Sequence, residues 1–270
     1  MKIIVTGATG FLGQEIVKSV NNNCISFGFN NVCKNNGYQV DLIDRKKTFD
    51  ILDRLNPDAI VHTAALTDVN KCQNNPYYAY QLNVKATKNI IEWAQSRKSG
   101  LRFIYISTDQ VYNNNGASSE KHDVLPMNVY GMTKLWGEEK ALLLKNSIVL
   151  RVNFVGFGGG LLDWVIRMNY QKNKVVLFDD IVFNPIYMPD LVDIIVGVIG
   201  GKHHGIFNIG SSGSCMTKAE YIIKIINKLH LKSIKTVFGK MSESEFITAP
   251  RPLDMCMSIN KAQENLGVTL

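Results

Sequence analysis

The 270-residue chain has no apolar run near the length of about 18 residues that a membrane helix needs, so no membrane span is expected. Its five cysteines (24, 33, 72, 215 and 256) are odd in number and show no close pairing. That argues against a zinc site or a disulfide framework and for free thiols in a reducing, cytoplasmic setting. The first strand begins at Lys2, so no signal peptide is expected. No internal repeat is visible. Lysine and arginine total 30 against 23 acids, a net charge of +7, but they form no stripe. Nucleic acid is therefore not an expected partner, whereas small anionic ligands suit the charge. No metal is expected either, because His62 ends a buried strand and lacks spaced partners.

What is present begins at the N-terminus. Lys2 to Thr6 is a short β-branched run that predicts a buried parallel strand. Gly7-Ala8-Thr9-Gly10-Phe11-Leu12-Gly13 follows, then a helical pattern through Ile16, Val17 and Val20. Gly7 permits the tight turn, Gly10 lets a pyrophosphate approach the backbone, and Gly13 lets helix pack on strand. The helix start offers N–H groups and positive dipole to phosphates. A second strand is predicted from Cys24 to Phe29. No carboxylate lies between Glu15 and Asp41 to meet a ribose 2′-hydroxyl; Asn30 and Lys34 stand there instead. NADPH is the expected cofactor, with NADH as the alternative.

Strands and helices then alternate. A helix is predicted over Thr48 to Leu55, a strand over Ala59 to Thr63, and one long helix over Pro76 to Arg97. Tyr80, Val84, Ile91 and Trp93 are its candidate core positions. A strand from Leu101 to Ser107, a helix from Asn128 to Lys145 and a strand from Ser147 to Val152 complete the rhythm. It predicts an α/β fold with a Rossmann-type, doubly wound parallel sheet whose ligands sit at the carboxyl ends of the strands. We assign residues 1–155 to this domain, with 186–199 returning to it. Residues 156–185 and 200–270 are assigned to a smaller C-terminal substrate-binding lobe, with helices at 161–171 and 217–229.

The chemistry concentrates between Thr108 and Lys134. Tyr130 and Lys134 stand at i and i+4, on one helix face. A lysine ammonium there is expected to lower the phenol pKa. Thr108, at the end of the preceding strand, can aim at the same spot. The three form a proton donor-acceptor unit for a carbonyl/alcohol pair. Tyr112 and Trp136 read as packing residues, and Asp190 as an acid opening the helix at Pro189.

These segments together resemble the extended short-chain dehydrogenase/reductases, and most of all the dTDP-4-dehydrorhamnose reductases. The resemblance spans nearly the whole chain. It runs through Gly7–Gly13, His62–Val69, Tyr80–Val84, Ser107–Asp109, Pro126–Lys134, Leu150–Phe154, Pro189–Leu191 and Arg251-Pro252. It implies a triad of Thr108, Tyr130 and Lys134 reducing the C4 ketone of a nucleotide-linked 4-keto-6-deoxyhexose. By the same resemblance Thr9, Phe11 and Leu12 join the glycines at the dinucleotide, and Asp41 and Leu42 lie near its adenine. Ala64 and Ala65 line it, and Tyr130 and Lys134 hold its ribose. Thr67, Val69, Thr108, Asp109 and Phe154 face the sugar, and Arg251 pairs with the diphosphate. A homodimer is compatible with this reading.

The chain departs from the family where Phe154 replaces tryptophan and Gln110 replaces an aromatic residue. Gln110 also argues against a dehydratase, since an amide cannot transfer protons at neutral pH. Epimerase/reductases carry a cysteine just after the catalytic hydroxyl; no cysteine lies between 72 and 215, and His203 and His204 read as surface residues. A non-catalytic alternative is a regulatory subunit resembling methionine adenosyltransferase β, which binds NADP and a partner enzyme.

Overall fold

The computed structural model describes residues 1–20, 24–29, 36–244 and 247–268. Asn30, Cys33 and Lys34 lie outside that set. In the first half the elements are β1 (Ile3–Thr6), α1 (Phe11–Val20), β2 (Cys24–Gly28), β3 (Gly37–Gln39), α2 (Arg45–Leu55), β4 (Ala59–His62) and α3 (Val69–Asn74). Next come α4 (Pro76–Tyr80), α5 (Ala86–Arg97), β5 (Arg102–Thr108), α6 (Val129–Ala141), β6 (Ser147–Val152) and β7 (Phe154–Val155). The second half holds α7 (Gly160–Tyr170), β8 (Lys174–Phe178), β9 (Val182–Phe183), β10 (Ile186–Tyr187), α8 (Met188–Ile199) and β11 (Gly205–Ile209). It closes with β12 (Met216–Thr217), α9 (Lys218–Lys228), β13 (Lys235–Gly239), β14 (Asp254–Met255) and α10 (Asn260–Leu266).

Seven parallel strands form the central sheet in the order β11-β6-β5-β4-β1-β2-β3. β1, β4, β5 and β6 are buried at every position, as strands covered on both faces must be. Alternate residues feed two cores. Ile3, Val5, Val61 and Ile104 pack with α1 and α8, while Ile4, Ile60, Phe103 and Tyr105 pack with α2 and α5. Strand order reverses between β1 and β4, which opens a crevice at the carboxyl ends of the strands.

Local signals place the helices. Asp44 accepts the Lys47 N–H and starts α2, and Asn56 ends it in a left-handed conformation (φ 43°). Asn128 accepts the Gly131 N–H at 2.8 Å and starts the helix that carries Tyr130. Thr217 and Glu220 form a capping box at the start of α9.

Three expectations are corrected here. Pro76 to Arg97 is not one regular helix: a π-helical turn, Gln81–Lys85, joins α4 to α5. Periodicity cannot show a one-residue excess inside a helix. Tyr80 is 38% exposed against Trp136 rather than in the core. The strand Gly205–Ile209, assigned to the C-terminal lobe, is the edge strand of the central sheet beside β6. It follows α8 as the next unit of the same parallel winding. The lobe itself is built from two small sheets, β12-β9-β14 and β13-β8, with α7 and α9 packed together. Among the described residues no helix is long and apolar enough to cross a membrane.

The expectation of free thiols fails for one pair. Cys215 and Cys256, with Cα atoms 5.9 Å apart, are joined in a disulfide that closes 41 residues of the lobe. Their distance in sequence hid a pairing that only the lobe's folding creates. Cys24 and Cys72 are buried thiols.

Candidate active site

Gly7 sits at φ +66°, and a Cβ there would come within 2.7 Å of the Ala64 nitrogen. At Gly13 a Cβ would meet the Gly7 carbonyl oxygen at 2.2 Å. Bare backbone is therefore required at the turn, where Gly7 and Gly10 border an open cleft at the start of α1. This is a cradle that fits a pyrophosphate. Gly7, Gly10, Thr63 and Ala65 line both halves of that cleft, each about 360 Å³. One half runs past Thr9, Asp41, Leu42 and Ala64. The other runs past Phe11, Leu12, Gly13, Thr67, Thr108, Asp109, Tyr130, Lys134 and Phe154. So the cleft gathers most of the residues that the sequence singles out. Among the described residues it leaves out two: Val69 is buried in a small cluster with Cys72, Ala79, Tyr130 and Ala249, and Arg251 reaches Asn70 Oδ1 at 3.4 Å.

Thr108 ends β5 and caps the following turn. Its hydroxyl donates to Asp109 Oδ1 at 2.9 Å and accepts the Gln110 N–H at 3.2 Å. The second Asp109 oxygen accepts from the Asn153 amide. Burial pushes the Asp109 carboxyl up to about 6, against the pull of these donors.

Lys134 lies on the Tyr130 face of α6, but its ammonium donates to the Ile106 carbonyl at 2.6 Å and sits 4.2 Å above the Tyr105 ring. Burial pulls it down to about 7. The expected lowering of the Tyr130 pKa is not found. Burial raises the phenol well above its usual value, and the nearby Thr108 hydroxyl offsets only part of that. Desolvation, which the sequence does not display, sets the direction, and Asp109 and Cys72 add to it. Phe154 stacks on Phe11 with centroids 5.8 Å apart and walls the cleft.

Several supporting residues escaped the sequence. Asn83, in the π-helical turn, accepts the Leu66 N–H at 2.7 Å and donates to the Thr133 hydroxyl at 3.0 Å, tying the loop before Thr67 to α6. Thr87 donates to the Asn83 carbonyl, so its oxygen accepts from His62 Nε2 (3.0 Å), and Nδ1 accepts from Thr6 (2.7 Å). That chain fixes a neutral imidazole, which burial holds at about 3. Glu138 accepts from Arg151 and Ser107, and Arg151 also donates to the Tyr112 hydroxyl at 2.6 Å. Tyr112 is thus buried, whereas Trp136 faces outward. Asp190 lies in the first turn of α8, just after Pro189.

The family model for the RmlD substrate binding domain matches residues 1–270. The chain belongs to that family. It is 24% identical to a dTDP-4-dehydrorhamnose reductase of Aggregatibacter actinomycetemcomitans, over 99% of this chain and 94% of that protein. It is 28% identical to methionine adenosyltransferase 2 subunit beta of Pongo abelii, over 99% of this chain and 83% of that one. Among solved structures, the dTDP-4-dehydrorhamnose reductase of Bacillus anthracis in complex with NADP superposes with a TM-score of 0.87. It is 23% identical and covers 98% of this chain and 93% of that chain. The match to the fold family is as the motifs implied.

Proposed function

We propose that the protein uses NADPH to reduce the C4 ketone of a nucleotide-linked 4-keto-6-deoxyhexose, in deoxysugar and surface-polysaccharide synthesis. One observation carries this reading: Thr108, Tyr130 and Lys134 line a single cleft that continues over the glycine turn. The dTDP-4-dehydrorhamnose reductases among its relatives, and the NADP held by the Bacillus anthracis enzyme, support it.

Gly7, Thr9, Gly10, Phe11, Leu12 and Gly13 would hold the cofactor's pyrophosphate, Asp41, Leu42, Ala64 and Ala65 its adenosine side, and Tyr130 and Lys134 its nicotinamide ribose. When bound, the cofactor supplies hydride to the ketone carbon. Tyr130, a phenol that is protonated at neutral pH, would donate its proton to the C4 oxygen. Thr108 would hydrogen-bond the same oxygen. Thr67, Asp109 and Phe154 would shape the sugar side, with Val69 packed behind Tyr130 and Arg251 placed for the diphosphate. Asn30 and Lys34 belong to this reading as 2′-phosphate contacts.

The test is steady turnover. Protein, NADPH and a panel of 4-keto-6-deoxy sugar nucleotides are mixed and followed at 340 nm. Loss of absorbance with at least one ketosugar, at a higher specificity constant for NADPH than for NADH, is expected. No turnover with any ketosugar overturns the reductase. The relation to methionine adenosyltransferase 2 subunit beta then favours the second reading, a non-catalytic NADP-binding subunit.

A further inference from the structure

Thr108 and Asp109 are buried side by side at the cleft. A threonine hydroxyl has one proton and two lone pairs. With Asp109 ionised, the Thr108 proton lies on the 2.9 Å bond to Asp109 Oδ1, and one lone pair accepts the Gln110 N–H at 3.2 Å. What Thr108 keeps for a ligand is an acceptor. A ketone oxygen is an acceptor too, so in this arrangement the two do not bond.

The Thr108 proton can be freed in two ways. Turning it away from Asp109 strips a buried carboxylate of one of its donors, which is costly. Placing a proton on Asp109 keeps the contact: the carboxyl donates to Thr108, and the Thr108 proton turns to the ketone. Burial lifts Asp109 to about 6, so about a tenth of the carboxyls hold a proton at pH 7. A ligand that bonds only to that form draws the rest toward it.

Asn153 decides where that proton sits. It lies between β6 and β7, lines the cleft, and is pinned by its own carbonyl, which accepts the Ile186 N–H at 2.9 Å. Its amide donates to Asp109 Oδ2. Oδ2 is thereby kept as an acceptor, and the acid proton is left to Oδ1, the oxygen bonded to Thr108.

We propose that Asn153 and Asp109 are a positioning pair that sets the hydrogen-bond direction of Thr108, turning its hydroxyl into a donor toward the substrate ketone when Asp109 carries a proton on Oδ1. This rests on the ketone-reducing reading above and adds to it two residues that act through Thr108. Asp109 takes its proton from water and returns it there when the alcohol leaves. The proton that stays on the C4 oxygen is still that of Tyr130.

The test is the pH dependence of kcat/KM for NADPH-loaded protein with the fastest ketosugar nucleotide of the panel above, beside carbon-13 NMR of aspartate-labelled protein without ligand. Tyr130 of α6 and Lys218 of α9 act on Asp109, and Lys134 of α6, drawn down to about 7, lines the same cleft, so variants must make the assignment. Wild-type kcat/KM should begin to fall at about pH 6. Asp109→Asn cannot ionise and offers an amide N–H to Thr108 as the acid does; its fall should start about one pH unit later, with Lys134. Asn153→Ala takes a donor from the carboxylate, so its fall should also start later than in wild type, and its plateau should be lower. One aspartate carboxyl signal, missing in Asp109→Asn, should titrate at about 6 and move up in Asn153→Ala.

Equal onsets in all three proteins overturn the proposal, as does an Asp109 signal that titrates in the ordinary carboxylate range. A lower plateau in Asn153→Ala with an unshifted onset makes Asn153 purely structural and also overturns it. So does loss of turnover at every pH in an Asp109→Asn protein that unfolds at the wild-type midpoint, since the ionised carboxylate would then be the working form. Should wild type turn over no ketosugar, the reductase reading itself fails, and this proposal with it.

Discussion

Glu138 grips Arg151 with both side chains almost wholly buried, Nη2 to Oε2 at 2.7 Å and Nε to Oε1 at 3.0 Å. Glu138 stands one helical turn beyond Lys134, so the pair pins α6 to β6, next to the strand that carries Thr108. Ser107 and Tyr112 complete the partners, which is what makes a buried pair tolerable. Glu138→Ala strands a guanidinium in the core. It should cost about 3–5 kcal/mol, the usual range for breaking such a pair. Urea unfolding checks this, and a midpoint equal to wild type would show the pair to be dispensable.

Tyr130→Phe keeps the ring in its cluster with Val69 and Ala249 but removes the proposed proton donor. Turnover should fall by about a hundredfold to ten-thousandfold. NADPH binding, read by fluorescence, should barely move. Full turnover in the Phe variant would assign the proton to another group.

His62 gives the fold an acid-sensitive element. Its folded pKa of about 3 lies below the ordinary histidine value of 6.5, so the unfolded chain binds more protons between those limits. Its contribution is complete above pH 6.5 and is lost as the pH falls toward 3. The difference amounts to about 5 kcal/mol as an upper bound, at 1.36 kcal/mol per pKa unit. Buried Asp109, raised to about 6, works in the opposite sense over part of this range, so the comparison must be between variants. His62→Gln should flatten the loss of stability between pH 6.5 and 4 relative to wild type. Parallel stability curves for the two proteins would remove His62 from this role.

The Cys215–Cys256 bridge should add up to about 4 kcal/mol by restricting a loop of 41 residues in the unfolded chain. Alkylation of unfolded protein before and after reduction should differ by two thiols, and dithiothreitol should lower the unfolding midpoint. Five thiols without reductant would leave the two sulfurs as neighbours only.

Local chemistry made much of this molecule legible. The turn from Gly7 to Gly13, the Tyr130/Lys134 spacing and the buried strand Ser147–Val152 are each written within a few residues. What stayed hidden depends on distant parts meeting. Glu138 and Arg151 look like ordinary charges until a helix and a strand are stacked. Cys215 and Cys256 are unremarkable until the lobe folds. The Lys134 spacing was visible, but its turn toward the Ile106 carbonyl and the strong desolvation of Tyr130 were not, because both depend on which atoms enclose the side chains.

The widened turn at Gln81–Lys85 carries a consequence for how this chain can vary. Deleting one residue there would restore an ordinary spiral, yet it would swing everything on one side of the cut by about 100° relative to the other. Asn83 would then let go of the Leu66 loop, or Trp93 would leave its place against α2. A more regular helix is thus available to this sequence only at the loss of one of its two docking faces.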